Sequence, residues 1–344
     1  MNQDPTPVTR HLRAMYGSRV LIAAVCHFRV FDLLTETPLS PAGLQQRLGL
    51  APRPAMVLIP ALLGMGFLET LPDGTLSVTG SGRYLTAAAS PNLTGYVGLE
   101  QDDPGVLEMV VRLKNDGPVD VSDGLSYVKE GDGPSPMDDP GESRRFTLAL
   151  AGRARLLAPL VATHLPAGPK HLLDVAGGTG YYSFEWLLQN PEGTATLFDR
   201  PQVLATAQEL LEEFCTEKKA PSVRERITFL PGDMLEDALL RTDLLFAGSL
   251  FHDWPEETCL DLMQRFAGAL RPGGELWVHD TFLNDDLTGP VPATDYSAAL
   301  FWATKGRIYS RREHEEWMLS AGLNPTAHRP ATGLDYGLIS GKRV

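Results

Sequence analysis

Residues His171 to Gly180, reading HLLDVAGGTG, constrain what this chain can fold into more than any other stretch. An apolar run ends on the acid Asp174 and passes into Gly177, Gly178 and Gly180, after which Tyr181 to Leu188 continues with helical character. Strand, glycine turn and helix in that order let a backbone approach a ligand closely. The start of the following helix then offers N–H groups that no helical carbonyl uses. A tight turn in any α/β protein has the same outline, so the neighbouring sequence has to decide what the turn holds.

From Lys170 onward, strand-like and helix-like runs alternate. Strands are expected at His171–Val175, Ala195–Asp199, Ile227–Pro231, Thr242–Gly248, Glu275–Asp280 and Tyr336–Ser340. The pattern predicts a doubly wound, mostly parallel sheet, in which ligands bind beyond the carboxyl ends of the strands where the strand order reverses. After the second strand, FDRPQV places Asp199 where an acid can accept hydrogen bonds from ribose hydroxyls or can cap the next helix. After the third, LPGDMLE places Asp233 and Met234 at the same rim; a carboxylate there can take an amino group, and a thioether can cover an aromatic ring. Gly178, Gly180 and Ser183 nearly spell a dinucleotide fingerprint, with serine in the third glycine's place. Asp174, however, would repel a pyrophosphate and suits a cationic ligand.

The fourth strand leads into AGSLFHDWPEETCLDLM, where His252 stands just ahead of a helix expected to start at Asp253 to Pro255. Histidine titrates near neutral pH, so at a strand end beside a nucleoside it is a candidate base, although a lone histidine is also commonly structural. His279 is the other histidine near a strand end, and the acid Asp280 follows it.

At 344 residues the chain is long enough for two domains, the larger with a substantial apolar core. A formal charge of −13 and a pI near 5.1 argue against a nucleic-acid or anionic membrane partner and favour small-molecule work. Cys26, Cys215 and Cys259 lack CxxC spacing, so neither a disulfide framework nor a metal site is expected. The N-terminus has no basic-then-apolar signal pattern and no apolar run reaches the roughly 18 residues of a membrane span, so a cytoplasmic enzyme is expected.

The N-terminal part reads as helices. Val8 to Leu34 carries apolar residues at helical intervals, too many for one face, and predicts a long buried helix. Ser40 caps a short helix that Pro41 begins and Gly49 stops; Arg53 to Met65 forms another, and Phe67–Glu69 with Thr75–Val78 forms a hairpin. Helix, helix, hairpin is the outline of a winged helix. A DNA-reading version would present arginines and amides on its second helix; RPAMVLIPALLGMG is nearly all apolar and suits self-association instead. Leu99 to Ser143 is dense in Asp, Gly and Pro and reads as a connector containing a helix at Val106–Lys114, before a long helix at Arg144–Leu165.

Taken together, DVAGGTG, the acid of FDRPQV, GDM, LFHDWPEE, LRPGGEL and SAGL resemble, in order, the motifs of the S-adenosylmethionine-dependent small-molecule O-methyltransferases of the caffeate, flavonoid and acetylserotonin type, whose bacterial members act on polyketides and phenazines. The resemblance covers the C-terminal half closely and the N-terminal half loosely. It implies a Rossmann-like methyltransferase domain at 166–344, a winged-helix dimerisation domain at 1–95 and a connector at 96–165 that contributes to the substrate pocket. It also implies that Asp174, Gly177, Gly178, Asp199, Asp233, Met234 and Ser249 bind S-adenosylmethionine, leaving S-adenosylhomocysteine, with no metal. His252 would be the base that takes the acceptor's hydroxyl proton, with Asp280 holding its ring. The chain departs from the plant members at two positions: Ile308 stands where they have a glutamate, and Gly248 where they have a lysine ahead of the histidine. Tyr296, Phe301, Trp302 and Thr304 are candidates either for the acceptor pocket or for plain core packing. The expectation is a homodimeric O-methyltransferase acting on a hydroxylated aromatic or polyketide-like metabolite. The alternatives are a relative using the same cofactor for decarboxylation or hydroxylation, and a winged-helix regulatory protein.

Overall fold

The protein is seen here in a computed structural model that describes residues 4–117, 135–168 and 170–344; the VSDG and KEGDG runs of the expected connector lie outside the described residues. Helix α1 (Thr6–Ile22) runs into a π-helical turn (Ala23–His27), and Arg29 then takes the left-handed conformation (φ 51°) before α2 (Val30–Glu36). The single helix expected over Val8–Leu34 is therefore two. Its apolar positions were too many for one face, and the break lets Val20, Ala24, Phe31 and Leu34 join one core. Ser40 caps α3 (Pro41–Leu48) by accepting the Gly43 N–H at 3.1 Å, and Gly49 (φ 66°) ends it. Helix α4 (Pro52–Gly64) follows, then the antiparallel hairpin of β1 (Leu68–Thr70) and β2 (Leu76–Val78), α5 (Thr94–Val97), and α6 (Pro104–Asn115), which Asp103 caps.

The rest of the chain holds α7 (Pro140–His164), β3 (His171–Val175), α8 (Tyr181–Gln189), β4 (Thr194–Asp199), α9 (Pro201–Lys218), β5 (Ile227–Pro231), β6 (Thr242–Gly248), α10 (Glu256–Ala269), β7 (Leu270–Asp280), α11 (Val291–Ala303), α12 (Arg311–Ser320), β8 (Leu323–Pro325), β9 (Ala331–Gly333) and β10 (Tyr336–Arg343). The large sheet has the order β5-β4-β3-β6-β7-β10-β8, with β9 on β10. It is parallel from β5 through β7, whereas β10 runs antiparallel to β7, β8 and β9. The strand order reverses between β3 and β6, so the loops leaving these two strands open the crevice where ligands of such sheets bind.

The described residues fall into two compact units. One comprises 4–117 with Phe282–Ser310; the other runs from 135 to Thr281 and resumes with Arg311–Val344. Residues 282–310, expected inside the C-terminal domain, pack with the N-terminal helices instead. Helix α11 lies against α1 and α4, and two arginines satisfy the carbonyls at its C-terminal end: Arg112 donates to the Trp302 carbonyl, and Arg53 to that of Thr304 at 2.9 Å. The stretch leaves and returns at one place, where Leu283 donates to the Tyr309 carbonyl at 3.1 Å.

In the second unit α7 packs against α8 and α9 through Ala154, Leu157, Ala158 and Val161. By length and composition α7 is apolar enough to cross a membrane, contrary to the reading of the sequence; its Arg153 and Arg155 are engaged within the unit by Tyr336 and Glu217.

Candidate active site

The turn after β3 is built for close approach. A β-carbon on Gly177 would lie 2.1 Å from Leu197 Cδ1, and Gly180 (φ 77°) is the left-handed residue from which α8 starts. Two non-glycine residues are also left-handed at this rim: Ala176 (φ 52°) after β3 and Ser249 (φ 55°) after β6. Such strain at both sides of the strand-order reversal marks a place where loop geometry is held against its local preference.

Asp174 is buried at the end of β3 and accepts the Ser183 hydroxyl at 2.7 Å through Oδ2, while Oδ1 has no hydrogen-bond partner. Burial, eased by Ser183 and aggravated by the charge of Asp199, raises its pKa to about 7. A buried carboxylate with an unsatisfied oxygen is a strong acceptor for an ammonium or N–H group. The Ser249 hydroxyl is likewise without a partner.

Asp199 sits at the end of β4, with Oδ2 accepting the Gly178 N–H at 2.8 Å and Oδ1 accepting the Arg200 N–H at 2.7 Å. Burial raises its pKa to about 6 against the pull of those bonds and of the Arg200 charge. Asp199, Asp233 and Met234 come together in one cleft enclosing about 660 Å³, its open mouth included. Asp233 is paired with Arg200 at 2.9 Å and accepts the Leu235 N–H at 2.9 Å. Phe198 and Trp254 supply aromatic walls, and Ser135 and Met137, from the turn ahead of α7, supply another.

His252 lies in a 3₁₀ turn after β6, buried, with Nδ1 2.6 Å from Asp280 Oδ1 at the end of β7. The same oxygen accepts the Thr281 N–H at 2.8 Å. Nδ1–H is committed to the carboxylate, and Asp253 Oδ1 lies 3.6 Å from Nε2, near enough to favour a charge on the ring. Burial pushes the His252 pKa down, but Asp280 and then Asp253 outweigh it and hold it at about 9. The expected helix start at Asp253 is instead this turn, with α10 beginning at Glu256. His279 is no rival: it is fully buried, its Nε2 is bonded to Thr332 Oγ1 at 2.8 Å, and burial pushes its pKa down to about 3.

Tyr296, Phe301 and Trp302 sit on α11 in the other unit. Arg13 lies 3.7 Å from the Tyr296 ring, Arg53 4.7 Å from that of Phe301, and Arg112 4.6 Å from that of Trp302. Phe301 is fully buried in that unit's core. Ile308 fills an apolar cluster with Leu283, Ala293 and Leu300, so the acid that plant members carry there has no place in this chain. Among the described residues no three of His, Cys, Asp and Glu converge as metal ligands would.

Arg200, Asp253 and the Ser135–Met137 wall were not anticipated. Arg200 and Asp253 each adjoin a motif residue, Asp199 and His252, but a lone charge beside a motif reads as solvated, and the wall had no signal at all.

The O-methyltransferase domain family profile matches residues 135–324. The chain is 27% identical over 325 residues to the 3-hydroxy-5-methyl-1-naphthoate 3-O-methyltransferase of Streptomyces sahachiroi, covering 93% of this chain and 90% of that protein. It is 26% identical to the acetylserotonin O-methyltransferase of Gallus gallus, over 98% of this chain and 97% of the other. The solved structure of an O-methyltransferase family 2 protein from Planctomyces limnophilus in complex with apigenin superposes with a TM-score of 0.87 at 34% identity, covering 100% of this chain and 97% of that one. The chain therefore belongs to the S-adenosylmethionine-dependent small-molecule O-methyltransferase family.

Proposed function

We propose that the protein methylates a hydroxyl group of a flat aromatic or polyketide-like metabolite, with His252 as the general base. The observation that carries this reading is the buried His252–Asp280 pair, which fixes the ring through Nδ1 so that Nε2 would be the nitrogen to take the proton. Relatives whose names specify a hydroxynaphthoate and acetylserotonin, and a neighbour in complex with apigenin, support an aromatic acceptor.

The residues present fit the cofactor. The unsatisfied Asp174 Oδ1 and Ser249 Oγ can receive donors at the amino-acid end, Asp199 can accept from ribose hydroxyls, and Asp233 with Met234 suits an adenine. The surplus of carboxylates suits a positively charged ligand. When bound, S-adenosylmethionine supplies a methyl group already activated by a sulfonium. The protein's part is then to hold the acceptor in line, exclude water and remove one proton at Nε2 of His252. A cation held among these carboxylates offsets Asp280 and Asp253 and moves the imidazole toward its neutral form.

The N-terminal unit, with its helix–helix–hairpin order, is proposed as a winged-helix dimerisation domain that reads no nucleic acid. The enzyme is proposed to work in the cytoplasm without a membrane partner or a metal. Calorimetry with S-adenosylhomocysteine and with NAD, and mass spectrometry of phenols and hydroxyquinones incubated with S-adenosylmethionine, test the reading. Tight homocysteine-compound binding and a gain of one methyl group are expected; binding of NAD alone would overturn it.

A further inference from the structure

Arg200 occupies a place that the reaction itself does not explain. Its guanidinium lies 2.9 Å from Asp233 Oδ2 and 3.5 Å from Asp138 Oδ1, and its own N–H donates to Asp199. Asp138 belongs to a short 3₁₀ turn that is itself held firmly. Ser135 Oγ accepts the Met137 N–H at 3.2 Å, and Asp138 Oδ2 accepts the Ser135 N–H at 3.0 Å, a reciprocal cap. Ser135 and Met137 of that turn line the cleft that Asp199, Asp233 and Met234 also line.

We infer that Arg200 is a positioning residue for the nucleoside end of the cofactor, clasping the Ser135–Asp138 turn to the β4 and β5 ends so that Met137 and Met234 wall the same cleft. The inference rests on the cofactor reading above. Charge explains why an arginine is needed. Asp138, Asp199 and Asp233 converge on one partly buried spot, and Asp174 adds a fourth carboxylate behind Asp199. Without a cation among them they repel, the turn loses its tether, and Asp199 holds its proton to higher pH, where a protonated acid accepts hydrogen bonds from a ribose less well. A guanidinium can bridge two carboxylates in a fixed fork, which a lysine does only as a point charge.

The test is calorimetry of S-adenosylhomocysteine with the full-length protein. At pH 7, Arg200→Met should weaken binding by about 10- to 100-fold, the range seen when partners that orient metal ligands are removed. Arg200→Lys should recover part of the loss. Asp138→Asn should weaken binding by a smaller factor, and adding it to Arg200→Met should weaken binding no further, as expected for two members of one unit. A purely structural defect would be independent of pH, whereas the Arg200→Met deficit should shrink as pH rises and Asp199 ionises. Arg200→Met or Asp138→Asn binding with wild-type affinity at pH 7, or a deficit unchanged by pH, would overturn the clasp. Failure of the wild-type protein to bind the compound would overturn the cofactor reading instead.

Discussion

His252 carries two opposing demands: it must be neutral to accept a proton, yet Asp280 and Asp253 hold its pKa at about 9. In a profile of kcat/KM against pH, activity should therefore climb through the neutral range and level off near that value. Asp280→Asn removes the negative charge that favours the imidazolium, so the rising limb should move to lower pH. The plateau should fall by about 10- to 100-fold, because the ring is no longer held. A limb that does not move would mean that another group sets it. His252→Ala should lower turnover by about 10²- to 10⁴-fold, with affinity for S-adenosylhomocysteine nearly unchanged, since the Asp199–Asp233–Met234 cleft is left intact. Near-wild-type turnover at pH 7 would exclude His252 as the base. The places of Asp174, Asp199, Asp233 and His252 in the fold were legible from sequence because each stands at or after the carboxyl end of a strand in a parallel sheet, the rim where ligands of such sheets bind. Arg200 was not, because a single arginine at a strand end reads as a solvated charge until its three carboxylates are seen around it.

At the scale of elements, the contact between α1 and α11 is the most exacting. A β-carbon on Gly17 would lie 1.8 Å from Asp295 Oδ1, so Gly17→Ala should destabilise the fold by about 1–3 kcal/mol, read from chemical denaturation. Burial, partly countered by Arg13, raises the pKa of Asp295 to about 6. A carboxyl whose folded pKa exceeds its unfolded value contributes stability that is complete below pH ~4 and is lost as pH rises through about 6. Asp295→Asn should therefore gain on the wild type as pH rises from about 4 to 7, by roughly 1–2 kcal/mol once solvent screening is allowed for, and a pH-independent difference in Tm would contradict this. Helices with clear punctuation, such as the Ser40 to Gly49 segment, were legible because capping is a local property. Strands β8 and β9 were not, since three residues are too few for a period-2 pattern and pairing with β10 alone makes them strands. The allegiance of α11 was hidden for a related reason: the arginines that fix it come from α4 and α6, far away in sequence.

For the whole molecule, Val8, Leu12 and Met15 recur along one side of α1 and are 62%, 66% and 47% exposed. An apolar row of this kind on the N-terminal unit fits the proposed homodimer, so sedimentation should give about twice the 37.5 kDa chain mass, and Leu12→Arg should shift the equilibrium toward the single chain. A wild-type monomer at micromolar concentration would contradict it. The return of residues 282–310 to the N-terminal helices also bears on how the polypeptide is made. As it leaves the ribosome, α1 and α4 emerge long before α11, the helix that covers them, and the large sheet waits for β10, whose last paired residue is Arg343. The first unit cannot close until Phe282–Ser310 has been made, and the outer edge of β7 stays open until β10 pairs with it. The nascent chain thereby carries uncovered apolar helices until α11 emerges, the circumstance in which chaperones are needed.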